Sequence, residues 1–300
     1  MSMRLFLATA VMLTMSYVTG AQSGKVAMTY ASLPTNPVEL AMGGVRSFNA
    51  SMDDVMDIEA GYMMFSPSFS PVSYMTLRAG YNLQSKIRFT LDGAYGMCEE
   101  YEMFNSSGLA TGTYKPSQVR LGVGAHYQFA DMFGAGIKLK YYREALAPQA
   151  RYGAFASDVI FFADIPLSSS MSLYGHAGVM DLGTKVKSVS GKSFSLPASA
   201  QLSIGYKSII GERNVVNVSV QGDCYFHNDF ALSAGASYMY NDMISLRAGY
   251  HLGAMSVLPS FASIGLGLHL FGLDLDLAYL IAEKGSAAAN SLCVSLGYAF

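Results

Sequence analysis

The chain has 300 residues, of which 13% are charged, against about 25% in ordinary soluble domains. Hydrophobic residues make up 51%, Gly contributes 30 residues, Tyr 20 and Phe 17, and Trp is absent. A formal charge of −2 excludes a strongly basic nucleic-acid binder, and the apolar content excludes a disordered chain. Three cysteines are too few, and odd in number, for a disulfide framework.

In chain order, the first segment reads as a secretory signal peptide over residues 1–21. Arg4 supplies the positive end, Leu5 to Val18 the apolar stretch, and Thr19-Gly20-Ala21 the small residues at the cleavage site. The apolar stretch is short for a membrane anchor, which needs about 20 residues. Residues 22–56 follow, with the turn-rich Leu33-Pro34-Thr35-Asn36-Pro37 and then Leu40-Ala41-Met42-Gly43-Gly44-Val45. They form either a periplasmic segment or a plug folded into a lumen, and their apolar content favours the plug.

From residue 57 onward the hydrophobic period is two. Val119, Leu121, Val123, Ala125, Tyr127 and Phe129 alternate with Arg120, Gly122, Gly124, His126 and Gln128. Ile244, Leu246, Ala248 and Tyr250 alternate with Ser245, Arg247, Gly249 and His251. That is the signature of strands with two different faces. The stretch Gly253–Leu273 carries no Asp, Glu, Lys or Arg, yet Ile264, Leu266, Leu268 and Leu270 alternate with Gly265, Gly267 and His269, so it too reads as a strand rather than a membrane helix.

Strands are predicted at 57–65, 73–83, 86–96, 118–129, 132–142, 155–165, 171–181, 198–207, 214–225, 230–240, 243–252, 261–271, 273–281 and 291–300. Most have the roughly ten residues a tilted strand needs to cross a bilayer. Connections after even-numbered strands are short; those after odd-numbered strands are mostly long, with 97–117, 143–154 and 182–197 the longest and 226–229 the exception. Outer-membrane barrels combine short periplasmic turns with longer external loops. The expectation is an all-β, transmembrane, antiparallel up-and-down barrel of about fourteen strands over 57–300. It would be set in outer-membrane lipid, with both termini at the periplasmic end and the edges closed. Tyr298 and Phe300 resemble the C-terminal signature by which bacterial outer-membrane proteins are recognised for barrel insertion.

No catalytic, cofactor or metal set stands out. His126, His176, His251 and His269 alternate into the lumen with Arg120, Lys138, Asp164, Arg247, Asp274 and Asp276, and read as a filling of paired charges. No Ser–His or Asp–His pair has an informative spacing along the chain. Glu99, Glu100 and Glu102 read as a solvated acidic loop, and Cys98, Cys224 and Cys293 as unpaired packing residues.

Several segments resemble one family. Leu40-Ala41-Met42-Gly43-Gly44-Val45 is similar to the small-residue motif near the start of PorV/PorQ proteins, fourteen-stranded FadL-like barrels of the Bacteroidetes. Leu196-Pro197 leading to Gly205-Tyr206 is similar to that family's Leu-Pro strand entry. Gly235 to Tyr250, with Tyr240-Asn241-Asp242 and Leu246-Arg247-Ala248-Gly249-Tyr250, resembles its hairpin, and Leu277-Ala278-Tyr279-Leu280 looks like its PorV side. The Asn-Pro-Ala motif that follows the Gly-Gly segment in that family is replaced by Asp53 to Glu59, and the chain is shorter than typical PorV. The resemblance implies a non-enzymatic part in type IX protein secretion, presenting cargo at the cell surface, with secretion-system or cell-surface proteins as partners and no nucleic acid. The alternative is a FadL-like channel for a hydrophobic small molecule, with residues 22–56 as its hatch. A structural barrel whose loops bind another surface protein is the third reading.

Overall fold

The structure, a computed structural model, describes residues 26–46, 55–65, 72–84, 86–105, 107–188, 191–253, 257–284, 286 and 288–300. The signal peptide expected over 1–21 lies outside them. Among the described residues no helix is long and apolar enough to cross a membrane.

Fourteen strands close into one antiparallel barrel. They are β1 (Met56–Phe65), β2 (Val72–Leu83), β3 (Ile87–Cys98), β6 (Ser117–Ala130), β7 (Phe133–Ala147), β8 (Ala150–Ser168), β9 (Met171–Gly183), β12 (Ser199–Ile210), β13 (Asn214–Tyr225), β14 (Asp229–Tyr240), β15 (Ile244–Leu252), β16 (Phe261–Leu270), β17 (Leu273–Ile281) and β18 (Ser291–Ala299). Two small hairpins, β4 (Tyr101–Phe104) with β5 (Ala110–Tyr114) and β10 (Val186–Lys187) with β11 (Ser193–Phe194), stand outside the wall. Closure is made by β1 against β18, from Asp57 opposite Ala299 to Met64 opposite Leu292. Each strand therefore has a partner on both sides, which is what lipid demands of backbone N–H and C=O groups.

The alternation sorts the side chains as the period of two implies. On β6, Leu121 is 50% and Val123 60% exposed, while Arg120 before them and His126 after them are buried. The outward set is a lipid-facing band, not a core. Among the described residues, the larger apolar core lies where the N-terminal segment enters the lumen. There Tyr30, Leu40, Met63, Tyr142, Phe261 and Leu280 form one buried apolar cluster.

Three features depart from the sequence expectation. The external loop expected at 143–154 is instead a continuation of β7 and β8, which pair as far as Ala147 and Ala150. The inward side chains there stay covered, with Ala145 and Ala154 buried and Tyr152 packed on the plug cluster, while Leu146 and Phe155 are exposed outward, and the backbone ladder persists. The loops expected at 97–117 and 182–197 each hold one of the small hairpins. Asp164, expected in the lumen, is exposed at the short-turn end of β8, where the wall runs out beyond the plug.

The two ends of the described chain also part company. The barrel begins and ends at the short-turn rim, where Val55 N–H donates to Phe300 O (3.0 Å) and Phe300 N–H to Met56 O (2.8 Å). Val26, by contrast, bridges to Ser195 in the connection between β9 and β12, at the long-loop end. The N-terminal segment thus threads the lumen, and the first and last wall strands meet at the short-turn rim.

Candidate functional site

The segment 26–46 is built to sit inside the wall. A 3-10 turn at Thr29–Ser32 places Tyr30, whose hydroxyl donates to Val119 O (3.3 Å) and Arg143 O (3.0 Å). Arg120 reaches inward and donates from Nη1 to Ala31 O (3.1 Å) and Leu33 O (2.9 Å). A short helix, α1 (Pro37–Ala41), follows. Asn36 caps it by accepting from Glu39 N–H (2.7 Å), and Pro37 occupies the first turn, where a missing N–H costs nothing. The helix ends at Gly43 and Gly44, both with positive φ, as Gly44 N–H returns to Glu39 O (2.8 Å).

This helix end docks on β14, β15 and β16. Ser263 donates to Ala41 O (3.0 Å) and accepts from Gly43 N–H (3.1 Å). A Cβ added at Gly249 would lie 2.1 Å from Gly43 N, and one at Gly235 would lie 2.4 Å from Met42 O. Two motif segments of the sequence reading therefore meet: Leu40, Ala41, Gly43 and Gly44 on the plug face the wall hairpin that carries Arg247 and Gly249. Leu246, Ala248 and Tyr250 of that hairpin face outward, and Arg247 faces the lumen. Tyr240-Asn241-Asp242 forms its turn. Met243 N–H donates to Tyr240 O (3.0 Å), and Asn241 and Asp242 both have positive φ, the geometry hairpins favour. Leu196 and Pro197 are buried at the entry to β12.

Tyr298 and Phe300 lie on the outer face of the last strand, with their rings 4.6 Å apart and edge to face. Deleting Phe300 is expected to cut the amount of assembled barrel in the outer membrane severalfold. Refolding of the purified chain in detergent should proceed unchanged, because neither ring is buried. Heat-dependent migration on gels measures both.

Below the plug the lumen holds charges in pairs. Arg247 contacts Asp276 at 2.6 Å, and Lys140 contacts Asp158 at 2.6 Å and Asp181 at 2.8 Å. Arg88 pairs with Asp57, and Lys138 with Asp92. Arg46, the last described plug residue, donates its backbone N–H to Gln221 (2.8 Å). Burial pulls its guanidinium down, but the carboxylates of Asp181, Asp223 and Asp158 outweigh this and hold it above its ordinary value. Cys98, Cys224 and Cys293 are free thiols, and no group of His, Cys, Asp and Glu among the described residues is arranged for a metal.

Among the described residues, the cavities beside the plug include two larger ones. One of about 110 Å³ lies among Arg46, Arg78, Arg88, Arg120, Lys138 and Asp92. The other, of about 380 Å³, opens at the short-turn end between Val38, Met42 and Val45 of the plug and a wall that carries Val215 and Met239. The same wall carries Lys207, Ser245 and Arg247, with Ser245 paired directly across the ladder from Met239. Beside it stands an arrangement that chain spacing did not reveal. Ser245 Oγ is 3.1 Å from His269 Nε2, and His269 Nδ1 is 2.6 Å from Asp274 Oδ1. These three residues sit on β15, β16 and β17, so their only sequence signal was a shared inward face.

The closed fourteen-stranded antiparallel barrel is FadL-like in fold. Among solved structures, the toluene transporter TodX of P. putida superimposes with a TM-score of 0.52 and 15% identity, over 94% of this chain and 97% of that one. The toluene transporter TbuX of Ralstonia pickettii gives 0.54 and 11%, over 88% and 97%. The monoaromatic hydrocarbon channel CymD gives 0.52 and 11%, over the same shares. At these identities the likeness is one of fold. No family model matches the chain. No curated protein matches it either.

Proposed function

We propose that this chain resides in the outer membrane as a channel that admits a small hydrophobic molecule and releases it through the cavity beside the plug helix. The carrying observation is that cavity: about 380 Å³, within the range of small-ligand pockets, with the apolar side chains of Val38, Met42, Val45, Val215 and Met239 in its lining. Its fold is shared with channels described as carrying toluene and other monoaromatic hydrocarbons, which makes a monoaromatic hydrocarbon the first substrate to test. Cells with an intact lipopolysaccharide leaflet should take up labelled toluene faster when they carry the barrel. Met239→Trp, which fills the cavity, should lower that uptake severalfold. Uptake equal to that of cells lacking the barrel would remove this reading.

A second reading, presentation of cargo in type IX secretion, rests on the PorV/PorQ resemblance and on the projecting hairpins. Phe104, Leu109, Leu146 and Phe155 are exposed near that end, and Tyr101 Oη donates to Leu146 O (2.8 Å), which ties the β4–β5 hairpin to the extended β7–β8 hairpin. Such a surface suits a secretion-system or cell-surface protein. Loss of the gene would then strand cargo in the periplasm, and normal surface attachment would reject this reading.

A further inference from the structure

The geometry points to a serine esterase site at the periplasmic mouth of the lumen, with Ser245 as nucleophile, His269 as general base and Asp274 as its positioning residue. This goes beyond transport and does not depend on it.

The connectivity is the one acyl transfer requires. Asp274 Oδ1 accepts from His269 Nδ1 at 2.6 Å, which fixes the neutral ring with its lone pair on Nε2. That nitrogen faces Ser245 Oγ at 3.1 Å, within reach to take the hydroxyl proton. Cross-strand register holds the set. Ser245 lies opposite Gly267, and His269 lies directly opposite Asp274. A Cβ at Gly267 would sit 2.2 Å from Ser245 Oγ, so only glycine leaves room for the hydroxyl there.

Charge stabilisation is at hand. The same point above Gly267 lies 2.6 Å from Asp276 Oδ1 and 2.8 Å from Arg247 Nη1, so the Ser245 hydroxyl adjoins the Arg247–Asp276 ion pair. Arg247 spends one N–H on Asp276 (2.6 Å) and has four more. A cation beside the attacked carbonyl is suited to the negative charge that develops on its oxygen. Ser245 is only 1% exposed, yet it lines the cavity of about 380 Å³, whose lining includes the apolar Val38, Met42 and Val45 of the plug and the neighbouring Met239. The substrate class is therefore a small carboxylic ester with an apolar acyl group.

The reaction balances without a cofactor. Ser245 Oγ bonds to the ester carbonyl carbon as its proton passes to His269 Nε2. The carbon–alkoxy bond then breaks, and the alcohol departs with that proton. Water attacks the acyl-serine and gives a proton to His269, which returns it to Ser245 Oγ as the carboxylic acid leaves. The net change is ester plus water to acid plus alcohol.

The test uses the full barrel in detergent, with 4-nitrophenyl butyrate as substrate and a fluorophosphonate as covalent probe. Wild type should hydrolyse the ester and carry the probe on Ser245, located by peptide mass. Ser245→Ala should lose both, with hydrolysis down by about 100-fold or more. Asp274→Asn should lower kcat while KM stays unchanged, which a loosened barrel would not produce. Heat-dependent gel migration shows whether each variant is folded. If Ser245→Ala fails to fold, probe attachment in the wild type decides alone. Wild-type turnover no faster than that of folded Ser245→Ala, or a probe that leaves Ser245 unmodified, would reduce the three residues to a luminal hydrogen-bond chain and overturn the assignment.

Discussion

Gly249→Ala is expected to unseat the plug while the barrel stays closed. The new Cβ would lie 2.1 Å from Gly43 N and 2.3 Å from the carbonyl carbon of Met42. Both are backbone atoms, so no side-chain rotation relieves the clash. Overpacking of this kind costs about 1–3 kcal/mol. Displacement also breaks the buried bonds from Ser263 to Ala41 and from Gly43 to Ser263, each worth about 0.5–1.5 kcal/mol. A total near 3 kcal/mol shifts the seated-to-open ratio by about a hundredfold, since 1.4 kcal/mol is a factor of ten. The pairing of β14 with β15 is untouched, because Gly249 opposes Gly235 and neither ladder bond involves a side chain. Two measurements check it: conductance in planar bilayers should rise, and trypsin added from the periplasmic side should cut after Arg46. Gly93→Ala is the control. Its Cβ would meet nothing closer than Leu121 Cδ2 at 3.4 Å, so the plug should stay seated. A variant at 249 that conducts and resists cleavage like wild type would show that the plug yields without opening.

Lys140→Met is expected to destabilise the barrel by about 3–5 kcal/mol, the usual consequence of removing one partner from a buried ion pair. Lys140 Nζ serves both Asp158 and Asp181, and the three side chains are 2–6% exposed. Asp181 takes the Tyr142 hydroxyl at 2.5 Å and gives its own N–H to Asp158 (2.8 Å). Without the ammonium, two carboxylates face each other in a site that water barely reaches. The guanidinium-chloride midpoint in detergent should fall well below that of wild type. Adding Asp181→Asn to the same chain should restore much of the loss, because one of the stranded charges is gone. Asparagine also tolerates the positive φ of 55° at position 181. An unchanged midpoint in Lys140→Met would mean that these charges are hydrated through the plug interface.

The site was less legible in the sequence than the wall around it. Ser245, His269 and Asp274 each carried an inward-facing signal, but they come from three successive strands, and their contact depends on register. A shift of β16 by one residue would turn His269 toward lipid and dissolve the set. The same holds for Lys140, whose partners on β8 and β9 meet because a bulge offers Met180 and Asp181 together where β8 supplies Asp158 alone. The small-residue motif at Leu40 to Gly44 was visible as a motif, but its purpose was not. Only the docking of Gly43 against Gly249 shows why small residues are needed at both places.

The sequence by itself determined that the chain is a membrane barrel and where its fourteen wall strands run. The reason is that lipid on one side and a polar lumen on the other impose a period of two that ten residues suffice to display. Over 143–154 the apolar alternation is too irregular to show a strand, and there β7 and β8 continue their ladder to Ala147 and Ala150. The tertiary structure alone decided the rest: that residues 26–46 thread the lumen, that the charges pair across strands, and that a serine, a histidine and an aspartate come into line beside a cavity. Each of these rests on register and closure, which place residues far apart in the chain within hydrogen-bonding distance and leave no trace in local spacing.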